Sequence, residues 1–165
     1  MRIAYFDCFS GISGDMTLGA LVDLGLDQGY LESELLKLKL DGYKLSFTNV
    51  KKHGIKGTKV QVNLLYHEEP DNHHHHHGRH LSDIKTLIEE SQLNENIKQK
   101  AISIFTHLGE AEAKVHNVDI EEVHFHEVGA VDSIVDIVGS VIGIAALDIE
   151  KIYSSPLPLG SGFTK

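Results

Sequence analysis

The sequence predicts a mixed α/β (α+β) fold, with a small mixed sheet packed against helices in a single domain that covers residues 1–165. Three observations support this prediction. The chain has 165 residues, of which 41% are hydrophobic and 24% charged, so one domain can bury a substantial core. Helical and strand-like hydrophobic periods alternate along the chain. Before the His-rich segment, two alternating segments follow each other closely, as the strands of a hairpin do.

The first third of the chain is predicted to form a strand, a loop, two helices and a hairpin. Ile3, Tyr5 and Phe6 in "RIAYFD" indicate a short buried strand. The Ser/Gly loop "CFSGISGD" follows it, and then come two helical segments, the first of which ends at Gly25. The segments "YKLSF" and "KVQVNL" alternate apolar and polar residues, so we expect them to pair as antiparallel strands.

The middle of the chain contains a segment without any hydrophobic period. From 66 to 80, "YHEEPDNHHHHHGRH" offers no apolar core that could offset the entropy of ordering, so we expect a disordered, mobile His-rich loop. The helical segment "LSDIKTLIEE" follows, with Ser82 as its expected cap. In the next helical segment, "NENIKQKAISIFTHLGEAEAKVH", the spacing predicts a buried stripe made of Ile97, Ala101, Ile104, Leu108, Ala111 and Val115.

The last part of the chain is predicted to contain one strongly apolar helix and one short strand. In "VDSIVDIVGSVIGIAAL", Gly139 and Gly143 allow close packing against a neighbouring element. The predicted buried face of this helix consists of Val128, Val131, Val135, Val138, Ile142 and Ala145. "KIYSS" is the expected strand. The irregular "PLPLGSGFTK" leads us to expect that more protein follows Lys165.

Composition excludes several classes of partner. The formal charge is −9 and Lys and Arg are not clustered, so we expect neither nucleic acid nor a membrane surface to bind. No apolar run reaches the roughly 18 residues of a membrane span, and Asp7 interrupts the N-terminus too early for a signal peptide. Cys8 is the single cysteine, so no internal disulfide can form. We expect a cytoplasmic protein, and a homo-oligomer stays open.

The histidines of the 66–80 loop are the first candidate metal ligands. Neutral imidazole binds nickel, copper, zinc and iron, and clustered histidines on a loop can supply several ligands. The alternative is a polar linker without any function. The candidate ligands in this loop are His73, His74, His75, His76, His77 and His80.

A second group of candidates lies in "HFHEVGAVDSIVD". If the strand is extended, His124 and His126 point to the same side, and Glu127 follows them. Asp132 and Asp136 are four residues apart on a helix and so share a face. Asp132 could be explained by the helix dipole alone, but Asp136 lies within an otherwise apolar helix, where an unpaired carboxylate is costly. This set suits a divalent metal or a metal–nucleotide complex.

The third group is the loop "FDCFSGISGDM", which joins a strand to a helix. Glycines allow tight turns there, and the N-terminus of the following helix can hold an anion such as phosphate. A plain turn in which Ser13 or Asp15 caps the helix explains the pattern equally well. No Walker A sequence is present. The candidate cofactor-binding residues of this loop are Asp7, Ser10, Gly11, Ser13, Gly14 and Asp15.

Together these stretches resemble the LarC family, whose members insert nickel into the nickel-pincer nucleotide cofactor of lactate racemase. The resemblance lies in "FDCFSGISGDM", the internal His-rich loop, "VHFHEVGAVDSIVDIVG" and "PLPLGSGF", in this order. It extends from Arg2 to Phe163. The resemblance implies an enzyme, a nickel chelatase or cyclometallase of the lyase class. Its substrates would be Ni²⁺ and pyridinium-3,5-bisthiocarboxylic acid mononucleotide, and it would use CTP with Mg²⁺ or Mn²⁺.

The resemblance carries motifs onto this chain without assigning roles within them. From residue chemistry, we expect the histidines named above to bind metal and the Asp7–Asp15 loop to bind cofactor. Glu127, Asp132 and Asp136 are the expected catalytic residues, since forming a nickel–carbon bond removes a ring proton and needs a base. Full-length family members continue into another domain, so we expect the C-terminal part of the same family protein as a partner. This segment alone could then bind nickel without completing the reaction.

Three other functions remain open from the sequence. A nickel storage or delivery module would need only the His-rich loop. A metal-dependent hydrolase would use the His/Glu/Asp set without the nickel precursor. A structural domain with a His-rich linker would lose no function when the loop is deleted.

Overall fold

The computed structural model describes residues 1–65, 79–125, 128–158 and 160, and it confirms the mixed α/β fold. Within these ranges the strands form three two-stranded sheets instead of one mixed sheet. In chain order the elements are β1 (Arg2–Phe6), α1 (Gly14–Asp23), α2 (Gln28–Leu35), β2 (Tyr43–Lys52), β3 (Ile55–Leu64), β4 (Arg79–His80), α3 (Leu81–Glu89), α4 (Glu95–His116), β5 (His124–Phe125), α5 (Val131–Ala146) and β6 (Ile149–Ser154).

Helix α5 lies at the centre of the core and packs against α1, α2, α4 and β3. Its glycines permit this packing, as the sequence predicts. A Cβ atom on Gly139 would lie 3.0 Å from Leu18, and one on Gly143 would lie 2.9 Å from both Leu21 and Leu26. The contact between α5 and α1 therefore depends on the absence of side chains at these two positions.

The predicted hairpin is confirmed: β2 and β3 pair antiparallel from Tyr43 opposite Leu64 to Lys52 opposite Ile55. His53 and Gly54 form the two-residue turn, and both have positive φ angles, of 49° and 87°. This is the backbone pattern of a type I′ turn, whose twist matches that of the strands. The hairpin covers α1, because a Cβ atom on Gly19 would lie only 2.2 Å from the Thr58 carbonyl oxygen.

Strand β1 is where the sequence predicts it, but the expectation that it is buried is wrong. It pairs in parallel with β6, and Ile3 and Tyr5 are 48% and 65% exposed. β-Favouring side chains indicate a strand, but they do not indicate which other elements are there to cover it.

The predicted stripe of α4 is also wrong in part. Ile97 and Ala101 are buried, but Ile104, Leu108 and Val115 are 40%, 36% and 79% exposed. The buried positions recur every four residues, at Ile97, Ala101, Phe105, Gly109 and Ala113. Phe105 supplies the buried volume, and Gly109 lets α3 and β5 approach, which a count of apolar residues does not detect.

The His-rich loop is shorter than predicted at its C-terminal end. Arg79 and His80 form β4, because Phe125 and His124 supply a partner strand. The helix after it is capped by His80 rather than by Ser82, and the His80 amide donates a 2.9 Å hydrogen bond to Asp83. The rest of the predicted loop, with His73 to His77, lies outside the described residues. None of the described helices combines the length and the apolar character that a membrane crossing requires.

Candidate functional site

The structure brings together two of the motifs that the sequence singles out. The Asp136 side chain of α5 lies against Gly14, the first residue of α1, so closely that a Cβ atom on Gly14 would be 2.4 Å from the Asp136 Cβ. Asp132, one turn earlier on α5, and Asp15 on α1 are near enough to affect the charge of Asp136. The N-termini of α1 and α5 therefore meet at a cluster of three carboxylates, which we call the Asp cluster (Asp15, Asp132 and Asp136).

Asp136 is only partly satisfied in this position. Its carboxylate accepts a hydrogen bond from the Asp15 amide, so Asp136 helps to cap α1 from a neighbouring helix. Its Oδ1 atom is buried and has no hydrogen-bond partner among the described residues. Because a buried oxygen without a partner is costly, such an atom needs a proton, a water molecule or a ligand.

The surroundings of Asp136 favour its protonated form. The pKa of Asp136 is raised to about 6, chiefly by burial and further by the negative charges of Asp15 and then Asp132. The hydrogen bond from the Asp15 amide opposes it. A carboxyl group with a pKa near 6 can exchange a proton close to neutral pH, which an ordinary aspartate does rarely.

The loop from Asp7 to Ser13 is held in place by one hydrogen bond within the loop and by another to a residue just after β6. The Gly11 amide donates a 2.9 Å hydrogen bond to the Cys8 carbonyl in a turn where Gly11 has a φ of 90°. The Cys8 amide donates a 2.8 Å bond to the Ser155 hydroxyl, just beyond β6. Cys8 itself is buried, and its thiol donates a 3.7 Å hydrogen bond to the Phe6 carbonyl oxygen. Ser155 is thus part of the loop's framework, although no sequence pattern indicated it.

The donors at the start of α1 are already in use. Ser13 occupies the N-cap position without capping through its side chain, and its hydroxyl instead donates to Asp15. The Asp15 carboxylate accepts a 2.8 Å hydrogen bond from the Met16 amide. The Asp136 carboxylate accepts a hydrogen bond from the Asp15 amide. Because three carboxylates surround this helix terminus, a phosphate would need a divalent cation beside it.

A pair of imidazoles forms the second part of the candidate site. His80 on β4 and His124 on β5 stand directly opposite each other, with ring centroids 4.7 Å apart and ring planes at 66°. The Nδ1 atom of His80 lies 3.3 Å from the Val123 carbonyl oxygen. Because a carbonyl oxygen only accepts, a neutral His80 ring that makes this hydrogen bond carries its proton on Nδ1 and its lone pair on Nε2. Metal-binding histidines commonly have this arrangement.

The described residues supply only part of a metal-binding shell. No group of three or more His, Cys, Asp or Glu side chains within the described ranges is arranged to hold a metal ion. The other predicted ligands, His126 and the five histidines of the loop, lie outside the described residues, as does Glu127.

Arg79 is a further residue of this region that the sequence argument overlooked. Its Nη1 donates a 2.6 Å hydrogen bond to the Gly129 carbonyl oxygen, in the turn between β5 and α5. A Cβ atom on Gly129 would lie 2.8 Å from the Arg79 amide nitrogen. Arg79 thus connects β4, which carries His80, to the turn that precedes Asp132. The available signal was a lone arginine two positions after the end of the histidine run.

A groove of about 670 Å³ lies between β1 and α1. Asp7 and Gly11 line it, whereas Ser10, Ser13, Gly14 and Asp15 do not. Most of its lining is apolar, including Ile3, Tyr5, Ile12, Met16 and Leu24. Two of the predicted cofactor-binding residues thus lie at the groove, while Ser13, Gly14 and Asp15 lie at the Asp cluster and Ser10 at neither.

Comparison with known proteins agrees with a metal-handling protein. The family described as nickel insertion protein matches residues 4–165, and the chain belongs to this family. A relative from Desulfitobacterium hafniense is 55% identical over 165 residues and covers the whole chain. One from Acetivibrio thermocellus is 53% identical over 167 residues and covers 99% of it. Both are named pyridinium-3,5-bisthiocarboxylic acid mononucleotide nickel insertion protein.

The chain spans about two fifths of the length of these curated relatives, 39% of the first and 40% of the second. It corresponds to their N-terminal part. No solved structure matches it significantly.

Proposed function

We propose that this chain is the nickel-handling part of an enzyme that inserts Ni²⁺ into pyridinium-3,5-bisthiocarboxylic acid mononucleotide. The product would be the nickel-pincer cofactor of lactate racemase. Family membership and the names of the relatives support the substrate. The observation that carries the proposal is the position of Asp136, which joins the Asp7–Asp15 loop to the motif that follows His124.

In this proposal the histidines hold nickel before it is transferred. His80 and His124 supply two adjacent imidazoles, and nickel accepts imidazole readily. His126 is a further proposed ligand at this site, and the histidines from His73 to His77 are proposed to collect nickel and deliver it there. The thiocarboxylate sulfurs of the precursor then compete for the metal, because soft sulfur ligands bind nickel well.

Asp136 is the proposed base. Forming the nickel–carbon bond replaces a ring C–H bond, whose electron pair goes to nickel while its proton leaves. A carboxylate with a pKa of about 6 is ionised at neutral pH and accepts such a proton better than an ordinary aspartate does. Asp132 stays nearby as a fixed negative charge, and Glu127 is a second candidate for the same role.

The negative charge of the Asp cluster is also compatible with a nucleotide that arrives with its own divalent cation. Three carboxylates at the entrance of α1 repel bare phosphate but attract a Mg²⁺ or Mn²⁺ complex. The family resemblance implies CTP with Mg²⁺ or Mn²⁺ as this complex, and we propose that Asp7, Ser10 and Gly11 lie around its phosphates.

The test uses a fusion protein that joins residues 1–165 of this chain to the part of the Desulfitobacterium hafniense relative that follows the match. We expect Asp136→Asn to lower the rate of nickel insertion at pH 7.5 by about 100-fold, the usual contribution of a general base. In the unchanged fusion protein the rate should fall as the pH drops below about 6, where Asp136 takes up a proton.

Asp148→Asn is the matched control, because Asp148 lies exposed just after the other end of α5. It should leave the rate unchanged. An Asp136→Asn protein that is folded and inserts nickel at the normal rate would rule out this carboxylate as the base.

A nickel storage or delivery module without catalysis is the second candidate. The adjacent imidazoles of His80 and His124 favour it, because they need no precursor in order to bind nickel. The module would bind nickel tightly, but the fusion protein would make no cofactor from precursor, nickel and CTP. The expected cytoplasmic location is consistent with either function and is part of the proposal.

A further inference from the structure

The parallel pair of β1 and β6 has apolar side chains on both of its faces, and both faces are exposed. Paired residues point to the same side, so Tyr5 and Tyr153 share one face, and Ala4 and Ile152 share the other. Tyr5 is 65% exposed, Tyr153 53% and Ile152 50%. Parallel strands almost always lie in sheets whose two faces are both covered, because their crossover connections place helices there.

The groove beside this pair is a second exposed apolar surface that a further layer of protein structure would cover. Between β1 and α1 it measures about 670 Å³, and Ile3, Met16 and Leu24 on its walls are 48%, 57% and 67% exposed. Within the described residues, β1 pairs only with β6 and β6 pairs only with β1. The pair therefore offers an unpaired strand edge on each side next to exposed apolar surface, which proteins usually cover.

The relatives contain a segment that is large enough to cover this surface. The match accounts for 39% and 40% of their lengths, which leaves about three fifths of each chain after it. A small ligand in the groove would leave the Ile152 face open. A polypeptide that adds strands to the edges and packs helices on both faces would cover all of it.

We propose that the exposed β1–β6 sheet is the docking surface for the segment that follows the match in the longer relatives, which extends this sheet with further strands. The proposal rests on family membership and on the exposure of the sheet, not on nickel chemistry. Because the Asp7–Ser13 loop continues from β1, it would then lie at the junction between the two parts.

The test compares Tyr5→Lys in two proteins, the 165-residue chain and the fusion protein defined above. In the short chain Tyr5 faces solvent, so the substitution should leave the melting temperature unchanged. In the fusion protein a buried lysine would disrupt the contact between the two parts. Hydrogen exchange of the β1 and β6 amides should become at least about ten-fold faster than in the unchanged fusion protein.

Val115→Lys is the matched control, because Val115 is 79% exposed on α4. It should have no effect in either protein. The amides of β2 and β3 serve as an internal reference, and they should exchange alike in the short chain and the fusion protein.

Three results would overturn the proposal. Tyr5→Lys could be neutral in both proteins, which would mean that the surface stays open. It could destabilise both, which would mean that Tyr5 is packed within the short segment. The short chain could sediment as a dimer that Tyr5→Lys dissociates, in which case a second copy covers the sheet. None of these results depends on nickel insertion, so they are distinguishable from a failure of the proposed activity.

Discussion

At the scale of single residues, Asp136 is the clearest conflict between stability and chemistry in the chain. Its neighbours are an apolar helix, two other carboxylates and the start of α1, and one of its oxygens has no partner among the described residues. A fold selected only for stability would place an apolar residue or an amide here. The cost of this carboxylate is therefore the best physical reason to assign it a role.

The pH dependence of this cost gives a first prediction. The pKa of Asp136 is about 6 in the folded chain against 3.8 for an ordinary aspartate, so the native state binds more protons between these values. The contribution of Asp136 to stability is consequently most favourable below pH 4, falls as the pH rises towards 6 and stays lower above it. Asp136→Asn removes this loss of stability, because an amide carries no charge at any pH. It should therefore raise the melting temperature by about 3 °C at pH 8.

The same substitution should change the melting temperature little at about pH 3, where Asp136 is largely protonated in both states. Asp148→Asn should have no comparable effect at either pH. The measurement is thermal unfolding followed by circular dichroism. An Asp136→Asn chain that is less stable than the unchanged chain at pH 8 would show that the charge is stabilised, contrary to the structure.

The sequence indicated Asp136 because of its position in an apolar helix, and the reason was sound. It could not indicate that Gly14 is the residue that Asp136 contacts, since the two are 122 positions apart along the chain. Arg79 and Ser155 escaped notice for a related reason. Each acts through a backbone atom, of Gly129 and Cys8 respectively, and any residue type can present those atoms.

At the scale of elements, close packing of α1 on its neighbours holds the candidate site together. Gly19 faces the β2–β3 hairpin, and the Asp23 carboxylate accepts bonds of 2.9 Å and 2.6 Å from the Thr58 amide and hydroxyl. These hydrogen bonds lower the pKa of Asp23. Helix α1 is thus positioned by the hairpin on one side and by α5 on the other.

Gly19→Ala is the prediction that belongs to this scale. Its Cβ atom would lie 2.2 Å from the Thr58 carbonyl oxygen, and a backbone atom within a paired strand cannot move aside easily. We expect the free energy of unfolding to fall by about 3 kcal/mol, as overpacked cores show. Chemical denaturation with urea measures it.

Gly57→Ala is the control within the same hairpin, because its Cβ atom would make only an ordinary 3.6 Å contact. It should change the free energy of unfolding by less than about 1 kcal/mol. Equal effects of the two substitutions would show that α1 does not pack on β3 as described.

The elements themselves could largely be predicted from the sequence, but their surroundings could not. The hairpin, the glycine contacts of α5 and the final strand follow from local patterns. The buried face of α4 follows from what packs against it, chiefly α3 and α5, so a count of apolar residues chose the wrong stripe. For β1, the sequence shows an apolar strand and says nothing about the layer that would cover it.

At the scale of the whole molecule, the chain combines a well-packed helical core with a site and a sheet that are both incomplete within the described residues. The core surrounds α5, while His80 and His124 supply two imidazoles and the β1–β6 pair has two uncovered faces. Both features agree with a chain that spans about two fifths of its relatives' length. The central claim is that the imidazole pair is a nickel site in a nickel insertion protein.

Nickel titration by calorimetry at pH 7.5 tests this claim most directly, in an untagged chain whose His73 to His77 are all serine. We predict that one nickel ion binds per chain. When His80→Ala and His124→Ala are combined, nickel should bind at least about ten-fold more weakly. His107→Ala, on the exposed surface of α4, should leave the affinity unchanged. If the double substitution binds nickel as tightly as the His107→Ala control does, the imidazole pair is not the nickel site.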